Sequence, residues 1–168
     1  MVYNEDDFIQ LSGLQHFKFC RRQWALIHIE NQWAENFRTT DGAILHANAH
    51  NGDLTESRGD LLITRDMRVF SRTLGVSGAC DVLEFHRGGT GIPLAGREGL
   101  WQPFPVEYKR GRPKEHDADA LQLCGQAMCL EEMSWTSRSA RTARIEIKSK
   151  GGPRRASREV AVRKDRED

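Results

Sequence analysis

The residues best equipped for chemistry stand in the run Pro105-Val106-Glu107-Tyr108-Lys109. Val106 to Tyr108 read as the end of a buried strand, where side chains alternate, so Glu107 and Lys109 share one face. On a half-wet sheet that is a plain ion pair. Two further residues change its meaning. Asp81 opens the strand-like run Asp81-Val82-Leu83-Glu84-Phe85, and His46 ends Asp41-Gly42-Ala43-Ile44-Leu45-His46, a helix start capped by Thr39, Thr40 or Asp41. A histidine, an aspartate and a Glu-x-Lys are the parts that hold a hard divalent cation and orient a water beside it. His50 lies four residues after His46, a spacing zinc sites use, but no downstream Cys or His completes a zinc set, so His50 reads as a packed core residue.

Several elements must position those groups. Ser12 to Phe17 looks like a turn into a short helix ending near Cys20, and Cys20 to Glu30 like an amphipathic helix bearing Trp24 and Ile27. Its Arg21 and Arg22 read as a solvated face, with phosphate contact as the other option. Residues 51–60 are a polar, turn-rich loop. Leu61–Phe70, Arg72–Val76 and Asp81–His86 read as three short strands of an antiparallel sheet. The glycines at 88, 89, 91, 96 and 99 make a loose connection without the lysine-serine tail of a phosphate loop. Trp101 to Tyr108 is the strand that carries Glu107, followed by the basic turn Lys109-Arg110-Gly111-Arg112-Pro113-Lys114. Asp117 to Met133 is a proline-free helix with Gln122 and Gln126 one turn apart. That amide pair is either exposed or aimed at a site.

The 168 residues suffice for one domain with a core. The net charge of +1 hides an asymmetry: residues 134–168 hold 11 Lys and Arg against 5 Asp and Glu, leaving 14 against 19 in residues 1–133. The acidic start Met1 to Asp7 has no apolar segment behind it, which excludes a signal peptide, and no run reaches the length of a membrane span. Four cysteines, Cys20, Cys80, Cys124 and Cys129, lack the spacing of a disulfide scaffold. In the expected cytoplasmic setting they stay reduced, most of them as small buried hydrophobes.

With those residues in view, the chain resembles the CRISPR-associated RecB-like exonucleases of the spacer-acquisition system, members of the PD-(D/E)xK group. Phe19 to His28, Gly42 to His46, Pro105 to Gly111 and Gln122 to Met133 carry the resemblance, in the family's order, over about residues 5–133. It implies an α/β fold with a restriction-endonuclease-like core, a small mixed sheet flanked by helices. It implies a metal-dependent 5′-to-3′ DNA exonuclease that uses Mn2+ or Mg2+, trims spacer precursors in antiviral defence and works beside the CRISPR adaptation integrase. Carried over by position, His46, Asp81, Glu107 and the backbone carbonyl of Tyr108 match the metal ligands. Lys109 matches the catalytic lysine and Gln122 the glutamine of the downstream helix. A histidine among oxygen ligands shifts preference toward manganese.

The family also holds a four-cysteine [4Fe–4S] cluster. Cys20 matches its first ligand, while nothing after Cys129 supplies the other three, so the cluster cannot form from this chain alone. The division expected is a nuclease domain over 1–133 and a basic tail over 134–168. That tail is a disordered solvated end, the product of a shifted reading frame, or a genuine nucleic-acid-binding extension. The competing functions are a non-catalytic subunit that binds DNA ends within the integrase complex, and an unstable truncated remnant.

Overall fold

The computed structural model describes residues 2–32, 55–89, 91–110, 117–133, 142–148 and 155–161, with side chains at 108–110, 142–148 and 155–161 left aside. A mixed sheet is built from β1 (Ile9–Gln10), β2 (Glu56–Arg58), β3 (Leu61–Ser71), β4 (Val76–Gly88), β5 (Ile92–Pro93), β6 (Leu100–Arg110), β7 (Thr142–Lys148) and β8 (Arg155–Ala161). The main path runs β2-β3-β4-β6-β7-β8, with β1 on β4 and β5 on β6. The β6–β7 and β1–β4 pairs are parallel and the others antiparallel. Three helices accompany the sheet among the described residues: α1 (Leu11–Phe19), α2 (Arg21–His28) and α3 (Ala118–Glu132). This is the α/β class expected, with helices packed against a mixed sheet.

The core lies where α1 and α3 meet the sheet. Leu11 from α1 and Cys129 and Leu130 from α3 join Val69, Cys80, Leu83, Phe85 and Trp101 in one buried cluster. Leu11 is seated against two glycines: a Cβ at Gly78 of β4 would come within 3.0 Å of it, and one at Gly125 of α3 within 2.6 Å. Glycine at both positions lets the helices come close to the sheet. Val82 and Val106 form a second, smaller cluster with Ile63 and Phe104.

Three sequence expectations are corrected. Residues 51–60 are not all loop: Glu56–Arg58 is β2, closed onto β3 by the two-residue turn Gly59-Asp60, where Gly59 takes φ +59°. Arg72 to Gly75 is a turn rather than part of a strand, and β4 runs unbroken from Val76 through Asp81. Gly75 adopts φ +65°, and the Glu132 carboxylate accepts hydrogen bonds from the Arg72 and Thr73 amides. Those fixed groups turn the chain where β-propensity alone extends it.

The third correction concerns residues 134–168. Within them, 142–148 and 155–161 are strands of the same sheet, with β7 parallel to β6 and β8 antiparallel to β7. Charge counting masks a period-two pattern: Ala143, Ile145 and Ile147 alternate with Thr142, Arg144, Glu146 and Lys148. Prolines fix where the β6–β7 ladder can begin. Pro103 and Pro105 lack the N–H a second neighbour would need, and β7 pairs with β6 from Val106 onward, directly after the last proline.

Candidate functional site

Glu107 occupies the place where the sheet forks. The β4–β6 ladder runs from Gly88↔Leu100 to Val82↔Val106. The residues that follow the last pair of this ladder are Asp81 on β4 and Glu107 on β6. On the other side of β4, the β3–β4 ladder passes from Arg65↔Val82 to Met67↔Cys80 and skips the Asp66–Asp81 position. Asp66 has φ +51°, a conformation an L-residue adopts at some cost, and the register is the same on both sides, so no residue is inserted. Residues held at such sparsely populated backbone angles cluster at functional sites.

Helix α3 closes the fork from above. Gln122 Nε2 donates to Glu107 Oε1 at 3.2 Å. Gln126 Nε2 donates to the Ala79 carbonyl of β4 at 3.0 Å and lies 3.4 Å from Glu107 Oε2. One amide therefore spans both arms of the fork. Both glutamines are buried, Gln126 completely, because the i, i+4 spacing puts them on the helix face that meets the sheet. Of the two alternatives for this amide pair, exposure is ruled out. Glu107 itself is 0% exposed and Asp81 4%.

The carboxylates make themselves felt at Cys80. Burial pushes its thiol well above the ordinary value, and the negative charges of Glu107 and Asp81 push it further in the same direction. Two acids at one strand fork thus share a neighbour. The Oε1 atoms of Gln122 and Gln126 are buried, with no hydrogen-bond donor on them among the described residues. Such amide oxygens beside buried carboxylates suit a hard divalent cation of the Mg2+ or Mn2+ kind. No three His, Cys, Asp or Glu side chains converge as a ligand group among the described residues.

Of the sequence-derived set, Gln122 meets Glu107, while Asp81 stands on the neighbouring strand β4, one step past the Val82↔Val106 pair. Lys109 and Tyr108 lie on β6 beyond Glu107, opposite Ile147 and Glu146 of β7. His46, His50 and the helix expected from Asp41 lie outside the described residues, as does the basic turn from Gly111 to Lys114. Gln126 and Ala79 are additions. The i, i+4 amide on an otherwise apolar helix was the available signal for Gln126, while a backbone carbonyl has none.

The residues present do not fit an iron–sulfur cluster. Cys20 is exposed at the junction of α1 and α2, but Cys80 and Cys129 are fully buried in the core. Burial and the nearby Glu132 push the Cys129 thiol up to about 12, which holds it as an inert thiol. Cys124 is half-buried and also raised by burial, with Glu131 adding to it.

No protein-family model matches this chain, and no curated protein matches it. Among solved structures it is similar to that of SSO0001, at 15% identity and a TM-score of 0.49, over 96% of this chain and 71% of the other. No helix among the described residues is long and apolar enough to cross a membrane.

Proposed function

We propose that the chain is a metal-dependent DNA exonuclease with a restriction-endonuclease-like core, acting on 5′ ends of spacer precursors beside a CRISPR integrase in the cytoplasm. The observation that carries this reading is the fork itself. A fully buried Glu107 is gripped by an amide of α3, and a second buried acid, Asp81, follows the end of the same β4–β6 ladder. A buried carboxylate costs several kcal/mol unless something compensates its charge. Two neutral amides hold this carboxylate in place, and in this reading a divalent cation balances its charge.

In this reading Asp81 and Glu107 hold the ion, joined by His46 and the Tyr108 carbonyl. A bound Mn2+ or Mg2+ supplies Lewis acidity toward the scissile phosphate. Gln122 keeps the Glu107 carboxylate in one orientation, the part an outer partner plays for a ligand. Lys109 supplies an ammonium two strand positions from Glu107, suited to offsetting charge that develops on the phosphoryl oxygens.

The test is digestion of end-labelled single-stranded DNA by the purified chain with and without manganese. The expected result is manganese-dependent shortening from the 5′ end, abolished in Glu107→Ala and Lys109→Ala and reduced roughly 10–100-fold in Gln122→Ala. DNA binding without digestion by the wild-type chain refutes the enzyme and favours an end-binding subunit.

A further inference from the structure

The stretch from Phe8 to Ile29 contains no aspartate or glutamate, although residues 1–133 as a whole are acidic. Its fixed cations are Lys18, Arg21 and Arg22. They gather at the elbow where α1 meets α2 at Cys20, whose backbone is extended (φ −158°, ψ 111°). All three are exposed. Beside them stand two aromatic side chains that a core would ordinarily absorb: Phe17 is 43% exposed and Phe19 53%.

These groups are organised. The Arg21 guanidinium lies 5.3 Å from the centre of the Phe17 ring, within cation–π range. Trp24 meets Phe17 edge-on at 5.4 Å and 89°. The Trp24 ring then stacks on His28 at 5.8 Å and 30°. These contacts brace Phe17 between α1 and α2, so that this exposed ring is held out rather than folded down. Apolar rings interleaved with cations, free of acids, fit a ligand that offers flat apolar faces and regular negative charge together.

We propose that the α1–α2 elbow is a stacking platform for single-stranded DNA, with Phe17 and Phe19 taking bases while Lys18, Arg21 and Arg22 meet phosphates. The proposal relies on the nuclease reading only for the choice of DNA among polyanions. The strand must be single because a duplex keeps its base faces stacked on one another, out of reach of surface rings. The two exposed phenylalanines provide affinity with little sequence preference, and the cations make it salt-dependent.

The test is fluorescence anisotropy of a labelled oligothymidine of about 20 nucleotides, titrated with the full chain in EDTA so that no digestion occurs. Replacing both rings, Phe17→Leu with Phe19→Leu, weakens binding roughly 5- to 100-fold. Phe17→Tyr with Phe19→Tyr keeps the rings and keeps the affinity. Arg21→Gln with Arg22→Gln lowers the slope of log affinity against log salt by about 1.4. Arg97→Gln, a cation stacked on Trp101 elsewhere, changes neither quantity.

Wild-type affinity in the double leucine variant overturns the platform, as does loss of affinity in a folded double tyrosine variant. A duplex that competes as well as the single strand overturns it too. Since binding is measured without metal, absence of manganese-dependent digestion bears on the nuclease reading and leaves these results standing.

Discussion

Gln126 offers the sharpest test of how the fork is held. Its Nε2 is the donor on the Ala79 carbonyl at 3.0 Å, a bond of ordinary length, and only grazes Glu107 Oε2 at 3.4 Å. Gln126→Leu is close to isosteric and fits a position that is already 0% exposed. It takes the donor away from a buried backbone carbonyl, which costs about 1–3 kcal/mol. Against that, it also removes a buried amide oxygen that has no donor among the described residues, recovering about 1 kcal/mol. The net expectation is a loss of up to about 2 kcal/mol. For a chain of this size each kcal/mol moves the melting temperature by about 2–4 °C.

Gln126→Glu goes further. It sets a second carboxylate against Glu107 and turns an oxygen toward the Ala79 carbonyl, so neither former acceptor has a donor. Like charge and burial both raise the pKa of the new carboxyl. Sign follows from that: a folded-state pKa above the unfolded value disfavours the native state as pH rises and restores it as pH falls. Thermal melts of the wild type and both variants between pH 5 and 8 decide the matter. Gln126→Leu should melt up to about 8 °C low, by the same amount at every pH, whereas Gln126→Glu should melt lowest at pH 8 and recover toward pH 5. A leucine variant more stable than the wild type, or a glutamate variant whose melting temperature does not change with pH, would mean that the amide does not hold the fork.

Other expectations are simpler. Burial raises the pKa of the Glu132 carboxyl, but hydrogen bonds from Ser71 and from the Thr73 and Arg72 groups outweigh it, leaving the value below the ordinary one. Its stabilisation is therefore present above the unfolded-state pKa and lost as pH falls through the lower folded one; Glu132→Gln should cost about 1 kcal/mol near neutrality, discounted for exposure, and nothing at acid pH in matched denaturant titrations. Gly125→Ala brings a methyl within 2.6 Å of Leu11, so overpacking of about 1–3 kcal/mol should exceed the roughly 1 kcal/mol gained in helix propensity. Combined with Leu11→Ala the same change should recover stability, and strict additivity in that double-mutant cycle would disprove the contact. Thiol labelling of the native chain at pH 8 should find Cys20 fast, Cys124 slow and Cys80 and Cys129 inert until denaturant is added, an order that equal reaction of Cys129 would overturn.

Much of this fold is legible in the chain because local pattern and tertiary role agree. Leu61 to Ser71 alternates and is a strand; Ala118 to Glu132 repeats with helical period and is a helix. The errors fall where a distant group decides. Arg72 and Thr73 turn because Glu132, 60 and 59 residues away, accepts their amides. Strand β7 escapes notice because basic residues dominate the count while its alternation lies underneath. At the candidate site, residue types pick out Asp81 and Glu107, since a carboxylate in an apolar run is conspicuous, while Gln122 is singled out by the family resemblance. Gln126 and Ala79 enter through geometry, because no pattern says which carbonyl an amide will reach.

What ties these elements together is the economy of one helix face. The residues of α3 that pack on the sheet include Leu130 and Cys129, which seal the core, and Gln122 and Gln126, which reach the fork. A helix that served only the core would place apolar side chains at all four positions, and the gain would be stability. Two buried amides are retained instead, each leaving an oxygen without a donor among the described residues. Under the proposed metal-dependent function, such oxygens beside two acids would couple cation binding to folding. Manganese should therefore raise the melting temperature of the wild type, and more than it raises that of Glu107→Ala. Equal shifts in the two proteins would move the ion away from the fork and leave the amides without a purpose.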